Sequence, residues 1–205
     1  MQRSGEAQRP TSSGDAHQTA TEALPPRRVI DLVPIFIGDA RSLLEPLAGW
    51  LESVFGLPVH PRTPWFDPES VFDPNRSQYN STLLLAELLN DPHVAAPKIL
   101  GVTSVDLFIP VLTYVFGEAQ LDGRAAVVST HRLRSEAYGL PPDEHELVER
   151  LIKEATHELG HTYGLIHCRD ATCVMRASTY VEDIDIKSAR FCPACWTAMA
   201  PRLAL

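Results

Sequence analysis

The sequence has no long hydrophobic run, little positive charge and no apolar stretch near its first residue. It contains no run of about 18 or more apolar residues, which excludes a membrane-spanning helix. Lysine and arginine number 18 against 26 aspartates and glutamates, and the net charge of −8 argues against a general binder of nucleic acid or anionic membranes. The opening residues, MQRSGEAQRPTSSGDAHQ, lack the apolar core of a signal peptide. We therefore expect a cytoplasmic protein that binds neither nucleic acid nor membranes.

Cysteine is also scarce, and its four copies are clustered. Cys168-x4-Cys173 and Cys192-x2-Cys195 form two short pairs, and eighteen residues separate the pairs. In a reducing compartment, this arrangement is more typical of one four-thiolate zinc site than of two disulfides. A redox dithiol at Cys192 and Cys195 is the alternative, but it needs a thioredoxin-like setting and leaves the other pair without a role. The spacing predicts a structural zinc ion bound by all four cysteines.

The chain of 205 residues, 44% of them hydrophobic, is long enough for one domain with a buried core. Residues 1–27 are polar and contain several prolines, and we expect a disordered tail there. From Arg28 onward, strand-like and helix-like patterns alternate. The alternation predicts an α/β fold with a mostly parallel sheet and one antiparallel member.

Apolar periodicity and turn signals predict the individual elements. We expect a strand over 29–38, a helix over 40–55 capped by Asp39, a short strand in LPVHPRT, a loop through FDPESVFDPNRSQYN, and a helix from STLLLAELLN to Asn90. KILGVTSVDLF is typical of a buried strand. Asp122-Gly123 predicts a hairpin turn that pairs 112–121 with 124–129, and a long amphipathic helix follows Pro141-Pro142.

Three of the eight histidines lie within HELGHTYGLIHC, residues 157–168. His157 and His161 are four positions apart on the predicted last helix, so their imidazoles project from the same face and can bind one zinc ion. Glu158 lies beside the first ligand, where a carboxylate can exchange protons with a water at the metal. Gly164 can end the helix in a left-handed conformation, which allows His167 to return as the third ligand. Three protein ligands leave a fourth zinc position open, as in catalytic zinc sites.

The run H-E-x-x-H-x-x-G-x-x-H is the metzincin signature. Metzincins carry a methionine in a tight turn beneath the three histidines, and Met175 follows His167 by eight residues. The longer stretch HELGHTYGLIHCRDATCVM…FCPAC resembles the archaemetzincin family at every fixed position. The sixteen residues between Met175 and Cys192 are one fewer than in the family pattern. DLFIPVLTYVFG and AAVVSTHRLR are similar to the same family, less specifically.

The resemblance implies a compact zinc metallopeptidase with two Zn²⁺ per chain, one catalytic and one structural. Residues 28–167 would form the catalytic domain, a metzincin-like twisted mixed sheet with one antiparallel edge strand packed on an active-site helix. Residues 168–205 would form a small C-terminal zinc-bound subdomain that carries the Met175 turn and the four-cysteine site. The substrate would be a peptide or protein, and we expect a monomer.

In the expected mechanism, Glu158 is the general base of a zinc-dependent peptide hydrolysis. The predicted hairpin makes the strand before Asp122 a sheet edge, and Phe116, Gly117 and Glu118 are the residues expected to bind an extended peptide there. An ordinary edge strand, on which Glu118 is a charge that discourages aggregation, is the alternative.

Two further alternatives remain open at this point. The Tyr180 hydroxyl is a candidate for stabilising the oxyanion, although simple packing beside the methionine turn is favoured. The whole chain is alternatively a zinc-folded peptide-binding module with little or no turnover. The intact Glu158 favours the enzyme.

Overall fold

A computed structural model of the chain describes residues 28–91 and 98–203. The tail predicted for residues 1–27 lies outside the described residues, as does His93. The strands of the described residues are β1 (Ile30–Ile35), β2 (Val59–Pro61), β3 (Phe72–Asp73), β4 (Gln78–Asn80), β5 (Lys98–Thr103), β6 (Leu107–Phe108), β7 (Gly117–Ala119) and β8 (Ala125–Ser129). The α-helices are α1 (Leu44–Phe55), α2 (Ser81–Leu89), α3 (Glu144–Thr162), α4 (Val181–Ile186) and α5 (Pro193–Leu203).

The larger of two sheets has five strands in the order β2-β1-β5-β8-β7. Strands β2, β1, β5 and β8 are parallel to one another. Strand β7 lies at one edge and pairs antiparallel with β8. The predicted mixed sheet with one antiparallel edge strand is therefore confirmed.

Helices cover both faces of this sheet, because side chains along each strand alternate between two cores. Leu100 and Val102 of β5 pack in the core that contains α1 and α3, whereas Ile99 packs in the core that contains α2. Helix α3 buries four apolar residues against the first face: Leu147, Leu151, Ala155 and Leu159. These contacts fix the orientation of α3, and they thereby fix the direction in which its polar residues project.

The start of α3 follows the prediction from Pro141-Pro142. The Asp143 side chain accepts a hydrogen bond from the Glu146 amide at 2.9 Å and caps the helix. An N-cap of this kind satisfies one of the amides that the first helical turn leaves free. The nineteen residues of the helix include His157 and His161, two of the predicted metal ligands, in its last turns.

The predicted start of the first helix is wrong. Residues Gly38–Leu43 form a 3₁₀ helix, the α-helix begins only at Leu44, and Asp39 lies inside the 3₁₀ turn without capping it. Gly38 has a φ of +51°, and the helical segment begins there, two residues before the predicted start at residue 40. Pro46 has no amide hydrogen, so α-helical hydrogen bonding cannot extend back through this segment.

The predicted loop at FDPESVFDPNRSQYN contains regular structure. It holds β3 and β4, which join β6 in a second sheet of order β3-β4-β6. Strand β6 is the end of KILGVTSVDLF, so this predicted strand is divided between the two sheets. Strands of two or three residues are too short to show an alternating pattern in the sequence.

The predicted hairpin is confirmed at its turn and is shorter than expected. Asp122 adopts a left-handed conformation, and the Gly123 amide donates to the Gln120 carbonyl at 3.2 Å. Only β7 pairs with β8, because the preceding residues turn to the small sheet. The Val115 amide donates to the Leu107 carbonyl, and Arg76 donates to the Leu112 carbonyl at 2.9 Å.

The helices of the described residues do not include one with the length and apolar character needed to cross a membrane.

Candidate metal centre

The structure brings the three predicted histidine ligands together at the end of α3. The Nε2 atoms of His157 and His161 are 3.1 Å apart. The ring centroid of His167 lies 5.2 Å and 5.0 Å from those of His157 and His161. One ligand atom from each residue lies within 4.8 Å of the others. Two nitrogens that bind one tetrahedral zinc ion at about 2.0–2.1 Å are separated by about 3.3 Å, so this spacing suits the metal.

Main-chain carbonyls fix the orientation of two of these rings. His157 Nδ1 lies 2.8 Å from the Val174 carbonyl oxygen, and His161 Nδ1 lies 2.7 Å from the Leu165 carbonyl oxygen. A carbonyl only accepts, so each Nδ1 carries the proton and each Nε2 presents a lone pair. Two lone pairs that face each other at 3.1 Å repel unless a cation lies between them. The donor set therefore fits a bound metal ion.

Burial also favours the neutral form of all three imidazoles. Desolvation lowers the pKa of His157 well below its usual value, and it lowers the pKa of His161 and His167 in the same direction. The positive charge of Lys187 lowers the pKa of each ring further. Neutral imidazole is the form that binds zinc.

The chain leaves α3 through a left-handed glycine, as predicted. Gly164 has a φ of +79°. Its amide donates to the His161 carbonyl at 2.8 Å, and the Leu165 amide donates to the Gly160 carbonyl at 3.1 Å. This pair of hydrogen bonds is the Schellman motif, which ends a helix and reverses the chain direction. The reversal is what returns His167 to the two helical ligands.

Glu158 is almost completely buried, with 6% of its surface exposed, and its side chain lies against β7. A methyl group added at Gly117 would lie 2.7 Å from Cγ and 2.8 Å from Oε1 of Glu158. Burial raises the pKa of the Glu158 carboxyl well above its usual value, and the nearby Glu154 raises it further. The glycine thus provides the space that the Glu158 carboxylate occupies.

Met175 is fully buried, and its sulfur lies against Gly160 of α3. It belongs to a tight turn in which the Arg176 amide donates to the Cys173 carbonyl at 3.0 Å. The Met175 carbonyl accepts from the Cys168 amide at 2.8 Å, and the neighbouring Val174 carbonyl holds His157. The turn therefore orients His157 through its main chain.

The four cysteines form a second cluster, with their sulfur atoms within 4.8 Å of one another. Cys168 Sγ and Cys192 Sγ are 3.8 Å apart, which is too long for a disulfide of about 2.05 Å. Tetrahedral Zn–S bonds of about 2.3 Å place two sulfurs about 3.8 Å apart. The Cys192 amide lies 3.3 Å from Cys173 Sγ, an arrangement that suits a thiolate. This donor set also fits zinc.

A cavity of about 360 Å³ opens beside the histidines. One wall is the segment 112–117 and the other is the segment 177–180, and His157, His167 and Glu154 also line it. Tyr180 is 65% exposed on the second wall. The Tyr114 hydroxyl donates to the Thr179 carbonyl at 3.2 Å and so links the two walls.

The three residues predicted to bind a peptide do not lie together. Phe116 and Gly117 line the cavity. Glu118 projects from the opposite face of the sheet, because successive residues of a strand alternate. Its carboxylate accepts hydrogen bonds from Ser81 and Thr82 at the start of α2. The remaining described histidines, His60, His131 and His145, belong to neither cluster.

Two features of the site were missed in the sequence. Gly160 contacts Met175, and a methyl group at Gly160 would lie 2.4 Å from the sulfur. Glu154 and Lys187 form a buried ion pair of 2.7 Å beside the cavity. Glu154 is three positions before His157, so helical periodicity places it on the ligand face. Nothing in the sequence around Lys187 signals its partner.

Several known proteins are similar to this chain in sequence and fold. The profile of peptidase family M54 matches residues 71–200. An archaemetzincin from Methanocaldococcus jannaschii is 44% identical over 135 residues, 66% of this chain and 73% of the relative. The crystal structure of an archaemetzincin from Methanopyrus kandleri is similar with a TM-score of 0.76 and 34% identity, over 89% of this chain and 99% of the other.

A third similar protein is a zinc-dependent peptidase from Methanocorpusculum labreanum. Its crystal structure matches with a TM-score of 0.73 and 31% identity, over 83% of this chain and 99% of the other. The family profile covers more than half of the chain, and the matching structures have the same mixed α/β architecture. The chain therefore belongs to peptidase family M54, the archaemetzincins, and is a zinc metallopeptidase acting on peptides or proteins.

Proposed function

We propose that the chain hydrolyses peptide bonds at a zinc ion held by His157, His161 and His167, with Glu158 as the general base. The observation that carries this proposal is the pair of Nε2 atoms that face each other at 3.1 Å while main-chain carbonyls hold both Nδ1 atoms. When bound, the zinc supplies a Lewis acid for the substrate carbonyl and for an attacking water.

Glu158 handles the protons in this proposal. Its carboxylate lies against Gly117 of the edge strand, one residue from the first ligand. It takes a proton from the attacking water and returns it to the leaving amine, so that one carboxylate serves both half-reactions. The carboxylate is not a metal ligand, and its loss should therefore stop turnover without releasing the metal.

The edge strand provides a place for an extended substrate. The Ser129 amide donates to the Phe116 carbonyl and the Gln120 amide donates to the Ala125 carbonyl, so the even-numbered residues of this segment pair with β8. In an antiparallel pair the intervening residues direct their main-chain groups to the other side. Gly117 and Ala119 therefore offer amides and carbonyls to a peptide at the open edge. The main chain of Glu118 pairs with β8 and its carboxylate accepts from Ser81 and Thr82, so the proposal gives Glu118 no direct contact with the peptide.

A second zinc ion at the four cysteines has a structural role in the proposal. Four thiolates complete a tetrahedral coordination and leave no position for a substrate. We accordingly treat residues 168–205 as a small zinc-bound subdomain that supports His167 and the Met175 turn. Tyr180, exposed on the wall of the cavity, is a candidate donor to the oxyanion.

The test uses zinc-loaded protein and a peptide library whose products are identified by mass spectrometry. Glu158→Gln is the matched variant, because it keeps the shape of the side chain and removes the proton acceptor. We expect the parent to cleave and the variant to retain its zinc while losing turnover. A Gln variant with most of the parent activity would refute the role of Glu158. A parent that binds peptides without cleaving any would favour the peptide-binding module instead.

A further inference from the structure

The buried ion pair between Glu154 and Lys187 lies beside the candidate metal centre. Lys187 Nζ is 2.7 Å from Glu154 Oε1 and donates to the Arg176 carbonyl at 3.3 Å. The side chain of Lys187 is fully buried, and that of Glu154 is 4% exposed. Burying two charges is costly, and a well-packed apolar pair of similar volume is often at least as stable. The pair therefore calls for an explanation beyond stability.

The position of Glu154 suggests that explanation. Among the described residues that line the cavity, Glu154 supplies the one carboxylate, and most of the others are apolar or aromatic. Lys187 lies behind the wall 177–180, because it donates to the carbonyl of the residue just before it. The ion pair uses Oε1, and a carboxylate has several further acceptor positions. Glu154 can thus present an acceptor to a side chain that enters the cavity.

We propose that Glu154 is a specificity-determining residue, and that the cavity selects a substrate side chain that ends in an uncharged hydrogen-bond donor, such as glutamine. The proposal rests on the peptidase function proposed above. The cavity of about 360 Å³ is at the small end of the range of ligand pockets, about 300–1,000 Å³, and so suits a single side chain.

The charges around the cavity explain why the donor should be uncharged. Lys187 already neutralises Glu154. With zinc bound, the two carboxylates of Glu154 and Glu158 would face three positive charges, one on Lys187 and two on the zinc ion. A lysine or arginine of the substrate would bring a further cation into this low-dielectric site. An anionic side chain would meet the Glu154 carboxylate directly. An amide donates to the carboxylate without either penalty.

The experiment compares peptides that differ at one residue. A library randomised on both sides of a central bond first identifies the position whose preference changes in a Glu154→Leu, Lys187→Met double variant. Four peptides then carry Gln, Met, Glu or Lys at that position. Met matches the length of Gln without its donor, and Glu matches its shape with a negative charge. Changing both partners avoids an unpaired buried charge, so the double variant should fold. Glu154→Gln is a second, more conservative variant.

We expect the parent to favour the Gln peptide over the Met peptide by about 10- to 100-fold in kcat/KM, the size of one hydrogen bond to a charged group. The double variant should lose this preference and favour Met, whereas Glu149→Gln, which removes a carboxylate from the outer face of α3, should retain it. Glu154→Gln should reduce the preference, because its hydrogen bond is no longer charge-assisted. A Gln-to-Met ratio that stays within about twofold between the parent and the double variant would overturn the proposal. A preference of the parent for Glu or Lys over Gln would also overturn it.

Binding separates this proposal from the peptidase function. Fluorescence anisotropy of labelled peptides is measured on zinc-loaded Glu158→Gln, which should bind without cleaving. If the library gives no cleavage, Gln, Met, Glu and Lys are placed in turn at each position of the peptide. Preferential binding of the Gln peptide supports the role of Glu154 even if the parent cleaves nothing, an outcome that would count against the hydrolysis alone. Equal binding of the Gln and Met peptides would refute the role of Glu154 whatever the activity of the parent.

Discussion

The sulfur of Met175 lies directly against Gly160, which comes between His157 and His161 in the sequence of α3. A methyl group at Gly160 would lie 2.4 Å from Sδ and 3.2 Å from Cε of Met175. Real atoms do not approach so closely, so in the alanine variant either the Met175 side chain or the turn that carries it must shift. Displacement of that turn also moves the Val174 carbonyl, which holds His157.

Gly160→Ala should therefore reduce both stability and metal affinity. We expect a loss of about 1–3 kcal/mol in the free energy of unfolding, typical of an overpacked core. Gly49→Ala is the matched control, because Gly49 lies in α1 with open space around it and alanine favours an exposed helix by about 1 kcal/mol. Urea unfolding of both variants provides the measurement. A Gly160→Ala protein as stable as Gly49→Ala would show that Met175 adapts freely.

The purified chain should contain two zinc ions. Three imidazoles and four sulfurs form two separate clusters, each of which fits one tetrahedral ion. Elemental analysis of protein prepared with zinc should give two per chain, and the four thiols should not react with a thiol reagent until a chelator is added. One zinc per chain together with four reactive thiols would eliminate the cysteine site.

The two metal sites should be coupled through the main chain. His167 and Cys168 are neighbours, and the Cys168 amide binds the Met175 carbonyl at 2.8 Å. A ligand that lies outside a helix must lose backbone freedom when it binds metal, about 1–2 kcal/mol per residue, unless another contact already holds it. Cys192→Ser or Cys195→Ser should accordingly weaken zinc binding at the histidines by about 10- to 100-fold.

Competition with a chromogenic chelator measures this affinity on variants that circular dichroism shows to be folded. Thr197→Ala is the control, because Thr197 is exposed on the same helix as Cys195 and donates only to the Pro193 carbonyl. A change of less than about twofold in zinc affinity at the histidines would show that the sites are independent, because such a change is well below the expected range.

Lys98 should make stability depend on pH. Burial lowers the pKa of Lys98 to about 8, although its Nζ donates to the Thr162 carbonyl at 2.7 Å and lies over the Tyr163 ring. In the unfolded chain the pKa of lysine is about 10.4, so between these values the unfolded chain binds more protons than the folded one. The contribution of Lys98 to the free energy of unfolding is thus lowest below pH 8 and rises towards about pH 10.4.

The difference in unfolding free energy between the parent and Lys98→Met, measured from pH 7 to 10.5, should shift in favour of the parent as pH increases. Lys153→Met, at a lysine on α3, is measured alongside to show what the loss of a lysine side chain does by itself. Parallel pH profiles for the parent and Lys98→Met would contradict the lowered pKa.

The sequence predicted that His157, His161 and His167 come together, because their arrangement is local. The spacing of His157 and His161 is set by one helical turn, and Gly164 determines where the helix ends. The mixed sheet was predictable for a similar reason, since long apolar strands such as β5 and β8 show their burial in composition. The prediction at Asp39 failed because it considered only the capping residue, whereas Gly38 and Pro46 also affect where the helix starts.

Contacts between distant parts of the chain could not be predicted in this way. Glu154 and Lys187 are separated by thirty-two residues, and a lysine at the end of a short helix is ordinarily exposed. The short strands β3, β4 and β6 pair with one another, and Arg76 and Gln78 tie them to the distant carbonyls of Leu112 and Thr113. Such pairings depend on the completed fold rather than on any local pattern.

The cap that ends α3 limits how this chain can change during evolution. The Leu165 residue that closes the cap through its amide also orients His161 through its carbonyl. Inserting or deleting one residue between His161 and Leu165 would rotate the following chain by about 100° relative to the helix. Such a change would remove both the hydrogen bond of the Leu165 amide and that of its carbonyl. The stretch between Met175 and Cys192, one residue shorter than in the family pattern, contains Lys187, whose contacts come from a long side chain rather than from the main chain. Length variation should therefore accumulate between Met175 and Cys192 and be absent between His161 and Leu165.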